Sequence, residues 1–570
     1  METQEFVSQV CGVPSNRVNA RVKRMGGAFG GKESRSVQLA CLLAVASKKT
    51  WRPMRCMLNR DEDMMTTGQR HPIQARWKVG TKHDGTLIAL EADVYNNAGY
   101  SLDMSGAVMD RCCTHLDNCY EIPNVLIRGH ICKTNTHSNT AFRGFGGPQA
   151  MFITESYMTA VAEGLNIDID ALRWKNLYKE GQRTPFLQKL DQDWHVPLLL
   201  SQVRDEVDYS ARKSGIAKFN SEHKWRKRGI SLLPTKFGLS FATALHLNQA
   251  GASVKIYADG SVLLHHGGTE MGQGLYTKMC QVAAQELNVP IDAVFTQDTT
   301  TYQIANASPT AASSGSDLNG MAVKDACDQL NARLAPFRAK YGAEAEMKTL
   351  AHAAYLERVN LSANGFWKMP RIGYKWGEYD VEKVKPMYYY FTQGVVCTEV
   401  ELDCLTGDHT VLRTDIKMDI GRSINPAIDY GQIEGAFVQG QGLFTMEESL
   451  WTQSGQLFTK GPGTYKIPGF SDVPQEFNVS FLQGVEWGAL RSIQSSKGVG
   501  EPPLFMGASV LFALREALVS ARRDNGVKEK LVLDSPATAE KLRLAVGDEI
   551  LKRGTVVPRD GEKNFWVTVA

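Results

Sequence analysis

Ala252-Ser253-Val254-Lys255-Ile256-Tyr257-Ala258-Asp259-Gly260-Ser261-Val262-Leu263-Leu264-His265-His266 reads as a β-hairpin. Apolar residues alternate on both sides of Asp259-Gly260, a dipeptide that accepts the positive φ of a tight hairpin turn. The small-residue run Gly267-Gly268-Thr269-Glu270-Met271-Gly272-Gln273-Gly274 follows, and from Leu275 to Leu287 the apolar spacing turns helical. This order of hairpin and small-residue loop recurs on either side. Residues 73–79 and 86–95 flank His83-Asp84-Gly85, and residues 395–402 and 410–418 flank Thr406-Gly407-Asp408. Helical spacing also marks residues 318–334, 432–444 and 510–519, the last introduced by Pro502-Pro503. Antiparallel hairpins alternating with helices predict an α+β fold, not a doubly wound parallel sheet. No Gly-x-Gly-x-x-Gly follows a strand, so the pattern offers no dinucleotide site of that kind.

Upstream, Arg24-Met25-Gly26-Gly27-Ala28-Phe29-Gly30-Gly31-Lys32-Glu33-Ser34 sits between two elements. Val18, Ala20 and Val22 read as a strand before it. Val37, Leu39, Ala40, Leu42, Leu43 and Val45 read as a helix after it, with Ser34 placed to cap it. Gly26 and Gly31-Lys32 fit the spacing of a phosphate-binding loop. Glu33 stands where that loop needs a hydroxyl for magnesium, and a carboxylate there would repel phosphate. The stretch therefore predicts a glycine-lined pocket with an acid at its rim rather than an ATPase.

A chain of 570 residues with 43% apolar and 22% charged residues has the composition of a globular protein of two or more domains. A formal charge of +3 gives no basic field for nucleic acid, and the longest uninterrupted apolar run, near residues 39–46, is too short to span a bilayer. The eleven cysteines are scattered without Cys-x-x-Cys, which predicts reduced thiols and no zinc or iron–sulfur site in this chain. Adjacent His265 and His266 on a strand point to opposite faces and cannot share a metal.

Six small-residue words recur between the expected elements: 26–31, Phe142-Arg143-Gly144-Phe145-Gly146-Gly147-Pro148-Gln149, 267–274, Ser308-Pro309-Thr310-Ala311-Ala312-Ser313-Ser314, Gly435-Ala436-Phe437-Val438-Gln439-Gly440, and Gly498-Val499-Gly500-Glu501-Pro502-Pro503-Leu504. Together they describe amides and one arginine around a large polar ligand bearing a phosphate. In these words and their order the chain resembles the molybdenum hydroxylases, and among them the xanthine dehydrogenase/oxidase group. The resemblance runs from about Thr3 to about Ala539. It implies the molybdopterin-binding domains of that family, the remainder of a first one in residues 1–215 and a second in residues 216–570, with the chain truncated at its N-terminal side. A glutamine that the family places near molybdenum would precede Met1.

The resemblance also implies roles. Glu501 falls at the position of the general base. Glu33 and Arg111 fall at two polar substrate positions, where an acid and a guanidinium would flank a purine, with Arg111 stabilising charge in the transition state. Phe145 and Phe241 fall where two rings hold a planar heterocycle. The family usually has Thr directly after that second Phe, whereas here Ala242 intervenes, so Thr243 is the matching substrate contact. Phe29, Gly30, Arg143, Met271, Gln273, Ala312, Ser313, Gln439 and Gly500 would hold molybdopterin. Phe29, Arg143 and Ala312 would be neighbours of molybdenum without being ligands, because the cofactor's dithiolene supplies the sulfur.

The implied activity is hydroxylation of hypoxanthine to xanthine and of xanthine to urate, with water as oxygen source. The implied context is a cytoplasmic homodimer, open to peroxisomal association, without nucleic acid or membrane. Two 2Fe-2S clusters and FAD would be bound by other domains. Aldehyde oxidases resemble the chain but lack the Glu33/Arg111 pair, and a cofactor-free fragment is a third reading.

Overall fold

The computed structural model describes residues 1–191, 193–487 and 490–554 and the backbone of Val567–Val569. The three expected hairpins form, and each acquires a third strand that the alternation did not announce. β1 (Ile73–Thr81) and β2 (Leu87–Gly99) pair antiparallel, and β3 (Asn124–Lys133) lies parallel to β2. β4 (Arg226–Leu239) comes next in the chain and joins a later sheet. β5 (Gln249–Ile256) and β6 (Val262–His266) pair antiparallel, β7 (Val294–Thr296) runs parallel to β6, and β8 (Ser362–Lys368) flanks β5. β9 (Tyr390–Asp403) and β10 (His409–Asp419) repeat the plan with β11 (Glu476–Phe481) parallel to β10, and β4 completes this sheet beside β9.

A parallel neighbour needs a crossover, and a helix supplies it each time. α1 (Ser36–Thr50) precedes the first unit. α2 (Ser105–Cys113) connects β2 to β3, and α3 (Gly147–Leu165) follows that unit. α4 (Leu275–Leu287) connects β6 to β7, and α5 (Gly315–Tyr341) lies between the second unit and β8. α6 (Pro426–Thr445) lies between β10 and β11, and α7 (Ala508–Asp524) follows the third unit. The α+β reading stands, with mixed sheets in place of pure hairpins.

Three expectations change. The strand before the glycine stretch shrinks to Arg21–Val22, paired with Thr299–Thr300. Ser34 does not cap α1: the helix begins at Ser36, and the Ser34 hydroxyl donates to Asp103 instead. The word 435–440 is no loop; in line with the helical spacing of 432–444 it lies inside α6, where the 502–507 turn demands a glycine at position 440. A Cβ at Gly440 would fall 1.9 Å from the Leu504 carbonyl oxygen.

One core cluster holds Leu200, Val203 and Val207 together with Ile230, Leu232, Val395 and Cys397, from either side of 215/216. The stretch Pro502–Asp524 is long and apolar enough to cross a membrane by composition, but 89% of its apolar window is packed inside the protein, so it is a core helix. Among the described residues no group of three His, Cys, Asp or Glu side chains is placed to hold a metal ion.

Candidate active site

The glycine words meet at one place, and their contacts can be traced link by link. The Met25 amide donates to the Glu270 carbonyl (3.0 Å), joining 24–34 to 267–274. The Thr269 amide donates to the Thr310 hydroxyl (2.8 Å), joining 267–274 to 308–314. The Arg143 amide donates to the Phe29 carbonyl (2.7 Å), bringing 142–146 against the first word. Gly30 is placed at φ 104°, and a Cβ there would sit 2.6 Å from the Ala141 carbonyl oxygen, so the two loops approach at backbone distance.

Glu501 lies at the centre of these contacts. It ends the 498–501 loop at the N-cap of the Pro502–Gly507 turn. One carboxylate oxygen accepts the Gly144 amide (3.1 Å) and the other accepts the Ser313 hydroxyl (2.8 Å). The same hydroxyl oxygen accepts the Glu501 amide (2.8 Å), so Ser313 holds both the backbone and the side chain of the acid. Ala312 and Ser313 are both in the left-handed region (φ 55° and 53°), a strained pair that turns the serine toward Glu501.

Arg143 clasps the loops from the other side. Its Nε donates to the Gly500 carbonyl, Nη1 to Gln439 (3.4 Å), and Nη2 to the Gln432 carbonyl (3.1 Å) and side chain (3.3 Å). Burial pushes this guanidinium down to about 10, opposed by Glu501. Gln439 reaches the site from the face of α6. Met271 and Gln273 form their own turn, with the Met271 amide on Gln273 Oε1 (2.7 Å) and Gln273 Nε2 on the Thr269 carbonyl (2.8 Å). Phe29 takes φ 50°, is 48% exposed and stacks near-parallel on Phe142.

At the rim, Glu33 is pushed up to about 8, first by burial and then by Glu2, Glu501 and Asp103, so it is predominantly protonated at neutral pH. Phe145 and Phe241 are half-buried. Arg111 and Thr243 each make hydrogen bonds within the protein. Arg111 is 3% exposed, and its two terminal nitrogens donate to the carbonyls of Gly238 (2.7 Å) and Ser240 (2.6 Å). The Thr243 hydroxyl donates to Asp110 on α2 (2.9 Å), because the intervening Ala242 takes φ 42° and turns the chain toward that helix.

Sequence reasoning missed four contributors. Glu270, 8% exposed, accepts the amides of Gly272, Gly274 and Tyr276 and so organises the loop and the start of α4; an acid just before a helix was the available signal. Gln432, Asp103 and Arg70 carried no local signal. Arg70 lies over the Phe142 ring (4.3 Å), and its buried Nη2 has no hydrogen-bond partner. That orphaned donor, the backbone-close cradle at Gly30 and the Arg143 clasp fit an anionic, phosphate-bearing cofactor.

Models of the molybdopterin cofactor-binding domain match residues 1–177 and 202–474. The chain belongs to the molybdenum hydroxylases, as their molybdopterin-binding portion. It is 72% identical to the nicotinate hydroxylase of Emericella nidulans over all of this chain and 41% of that protein. It is 58% identical to a xanthine dehydrogenase of the same organism, again over all of this chain and 41% of that protein. It is 52% identical to the xanthine dehydrogenase/oxidase of Gallus gallus, over 97% of this chain and 40% of that protein. Among solved structures, the aldehyde oxidoreductase of Desulfovibrio gigas superposes with a TM-score of 0.81 at 25% identity, covering 95% of this chain and 56% of that one. The chain thus spans about two-fifths of the length of these curated relatives, which are oxidoreductases. As a molybdenum hydroxylase portion it presents Glu501, Ser313 and Arg143 in one connected cluster.

Proposed function

We propose that this chain forms the catalytic pocket of an enzyme that hydroxylates a ring carbon of a heteroaromatic acid of the pyridine-carboxylate class. In the net reaction a C–H bond and water become C–OH, releasing two protons and two electrons. Glu501 is the general base. The observation that carries this is its carboxylate, held by the Gly144 amide and the Ser313 hydroxyl at the convergence of the glycine words. Bound molybdopterin, held by Phe29, Gly30, Arg143, Met271, Gln273, Ala312, Ser313, Gln439 and Gly500, would supply the molybdenum centre that takes up the two electrons. Phe145 and Phe241 sandwich the flat ring. Glu33, protonated, donates a hydrogen bond where an ionised acid would repel a carboxylate. The pyridine reading draws on the 72% relative and on the Ala242 turn that sends Thr243 to Asp110. Electrons leave through iron–sulfur and flavin domains outside this chain.

A purine substrate, hypoxanthine or xanthine, is the second reading. It is favoured by Glu33 and Arg111 together and by the xanthine dehydrogenases at 58% and 52% identity. Comparing kcat/KM for nicotinate with that for hypoxanthine and xanthine, on the complete enzyme, separates the two. A purine preference overturns the pyridine assignment. Glu501→Gln should lower kcat by about 10²–10⁴-fold with molybdenum content unchanged; near-normal turnover would remove Glu501 from the chemistry.

A further inference from the structure

Three residues before the base, the Gly498 peptide is gripped at both ends by one strand. Its amide donates to the Tyr390 phenol oxygen (2.9 Å), and its carbonyl accepts the Thr392 hydroxyl (2.8 Å). Tyr390 and Thr392 are two apart on β9 and so share a face. The Tyr390 hydroxyl in turn donates to Asp317 in the first turn of α5 (2.5 Å). All three side chains are buried, Tyr390 at 4%, Asp317 at 2% and Thr392 at 0% exposure. The Tyr390 hydroxyl thus accepts from Gly498 through a lone pair while its own proton points to Asp317, which fixes its orientation.

We propose that Tyr390, oriented by Asp317, is a positioning residue for Glu501: the chain Asp317–Tyr390–Gly498 sets the path of the loop that ends in the base. The inference rests on the reading of Glu501 as base. From Gly498 the backbone has two residues to reach Glu501, whose own amide and carboxylate are then caught by Ser313. Without the Tyr390 hydroxyl the Gly498 amide loses its partner, and between the Lys497 anchor and the contacts of Arg143 and Ser313 the loop is held at Gly498 by Thr392 alone, so the carboxylate is free to shift by a fraction of an ångström. A displacement of about 1 Å at a reacting group can cost about 10²-fold in rate. Substrate contacts lie on other loops, at Phe145, Phe241 and Glu33, so binding is unaffected. Burial pushes the Asp317 carboxyl up to about 7, so an amide in its place resembles a form the protein already populates.

The test uses the complete, cofactor-loaded enzyme and the variants Tyr390→Phe, Asp317→Ala and Asp317→Asn. Expected for Tyr390→Phe and Asp317→Ala is a loss of about 10- to 100-fold in kcat, with KM within about twofold and molybdenum per chain and melting temperature close to wild type. Asp317→Asn, whose amide oxygen still accepts from Tyr390, should recover kcat to within about threefold. Wild-type kcat in Tyr390→Phe, a KM change as large as the kcat change, or loss of molybdenum would overturn the proposal, as would Asp317→Asn no better than Asp317→Ala. Glu501→Gln is the control: if it turns over normally, the base assignment falls; if it is dead and Tyr390→Phe is normal, only the positioning role falls.

Discussion

α1 and α7 are spelled with nearly the same letters, Ser-Val-Gln-Leu-Ala-Cys-Leu-Leu-Ala-Val-Ala against Ala-Ser-Val-Leu-Phe-Ala-Leu-Arg-Glu-Ala-Leu, and meet opposite fates. α7 lies across β4 and β9 and buries Leu511, Leu514 and Leu518 almost completely. α1 buries Val37 alone, has the helix Glu2–Cys11 as its helical neighbour, and leaves Leu42 69% exposed. Apolar spacing says what a helix is able to bury, and a facing surface decides whether it does. A leucine left half in water forgoes part of the roughly 1.5–3 kcal/mol that full burial brings. The two helices also adjoin the two acids of the site in the chain. Glu501 is attached through a buried turn to α7, whereas Glu33 lies three residues before α1. The base sits on the firm side of the molecule and the rim acid on the loose side.

The sharpest way to break that contrast is to attack the firm side where its loop is anchored. Lys497, immediately before Gly498, has a fully buried side chain paired with Asp419 (2.8 Å), and it donates to the Phe391 carbonyl (3.2 Å). Burial would push Asp419 up, yet Lys497 and His195 hold its carboxyl well below the usual range. Lys497→Met should cost about 3–5 kcal/mol of stability, because it removes the lysine from a buried carboxylate and leaves it only the hydrogen bonds from His195, Trp487 and the Gly421 amide. A loss under about 1 kcal/mol in urea unfolding would show that the 497–501 anchor is not rigid. Next in size, Leu514→Ala, at 0% exposure, should cost about 2–5 kcal/mol through lost contact and a residual cavity.

Much of this contrast is hidden in the sequence, for physical reasons that particular residues show. The hairpins were legible because Asp-Gly and Gly-Asp turns interrupt period-2 runs, and all three sit where that pattern puts them. Their parallel third strands were not: Val294–Thr296 is three residues long, and 124–133 alternates without a buried row. Five of the six words were legible as loops that converge, since small residues mark close backbone approach, whereas 435–440 lies inside α6. Their partners were not, because the hydrogen bonds that decide the roles of Arg111, Thr243 and Tyr390 cross 73 to 133 positions of chain. The extra Ala242 was visible, but its positive φ and its effect on Thr243 belong to the folded loop.

On the loose side the expected effect is a slope rather than a loss. Glu33 holds a proton in the folded chain up to about pH 8, whereas the unfolded group releases it near its ordinary value of 4.5. The native state therefore binds more protons between those values, and stability contributed at low pH falls as pH rises through that window. Below about 4.5 both states are protonated, so the slope vanishes and the contribution is fully present. Urea midpoints near pH 5 and near pH 8 should converge in Glu33→Gln compared with wild type. An unchanged difference would mean that Glu33 titrates as a solvent-exposed acid.

The smallest expected effect tests the comparison most directly. Leu42→Ala on α1 removes a side chain that is 69% exposed, with little packing to lose and a slightly better helix former in its place. Surface changes of this kind stay within about ±0.5 kcal/mol. The corresponding truncation on α7, Leu514→Ala, removes the same atoms from the same kind of helix, so the difference between the two measures the facing surface rather than the residue. Both are read in one experiment, urea unfolding of the 570-residue chain at several concentrations. If Leu42→Ala costs as much as Leu514→Ala, the outer face of α1 is packed in solution. A cost that grows with protein concentration would identify a second copy as the cover, because association stabilises only the state that binds. A cost below about 0.5 kcal/mol at every concentration leaves α1 a half-wet helix in this chain, and the asymmetry between the two helices stands.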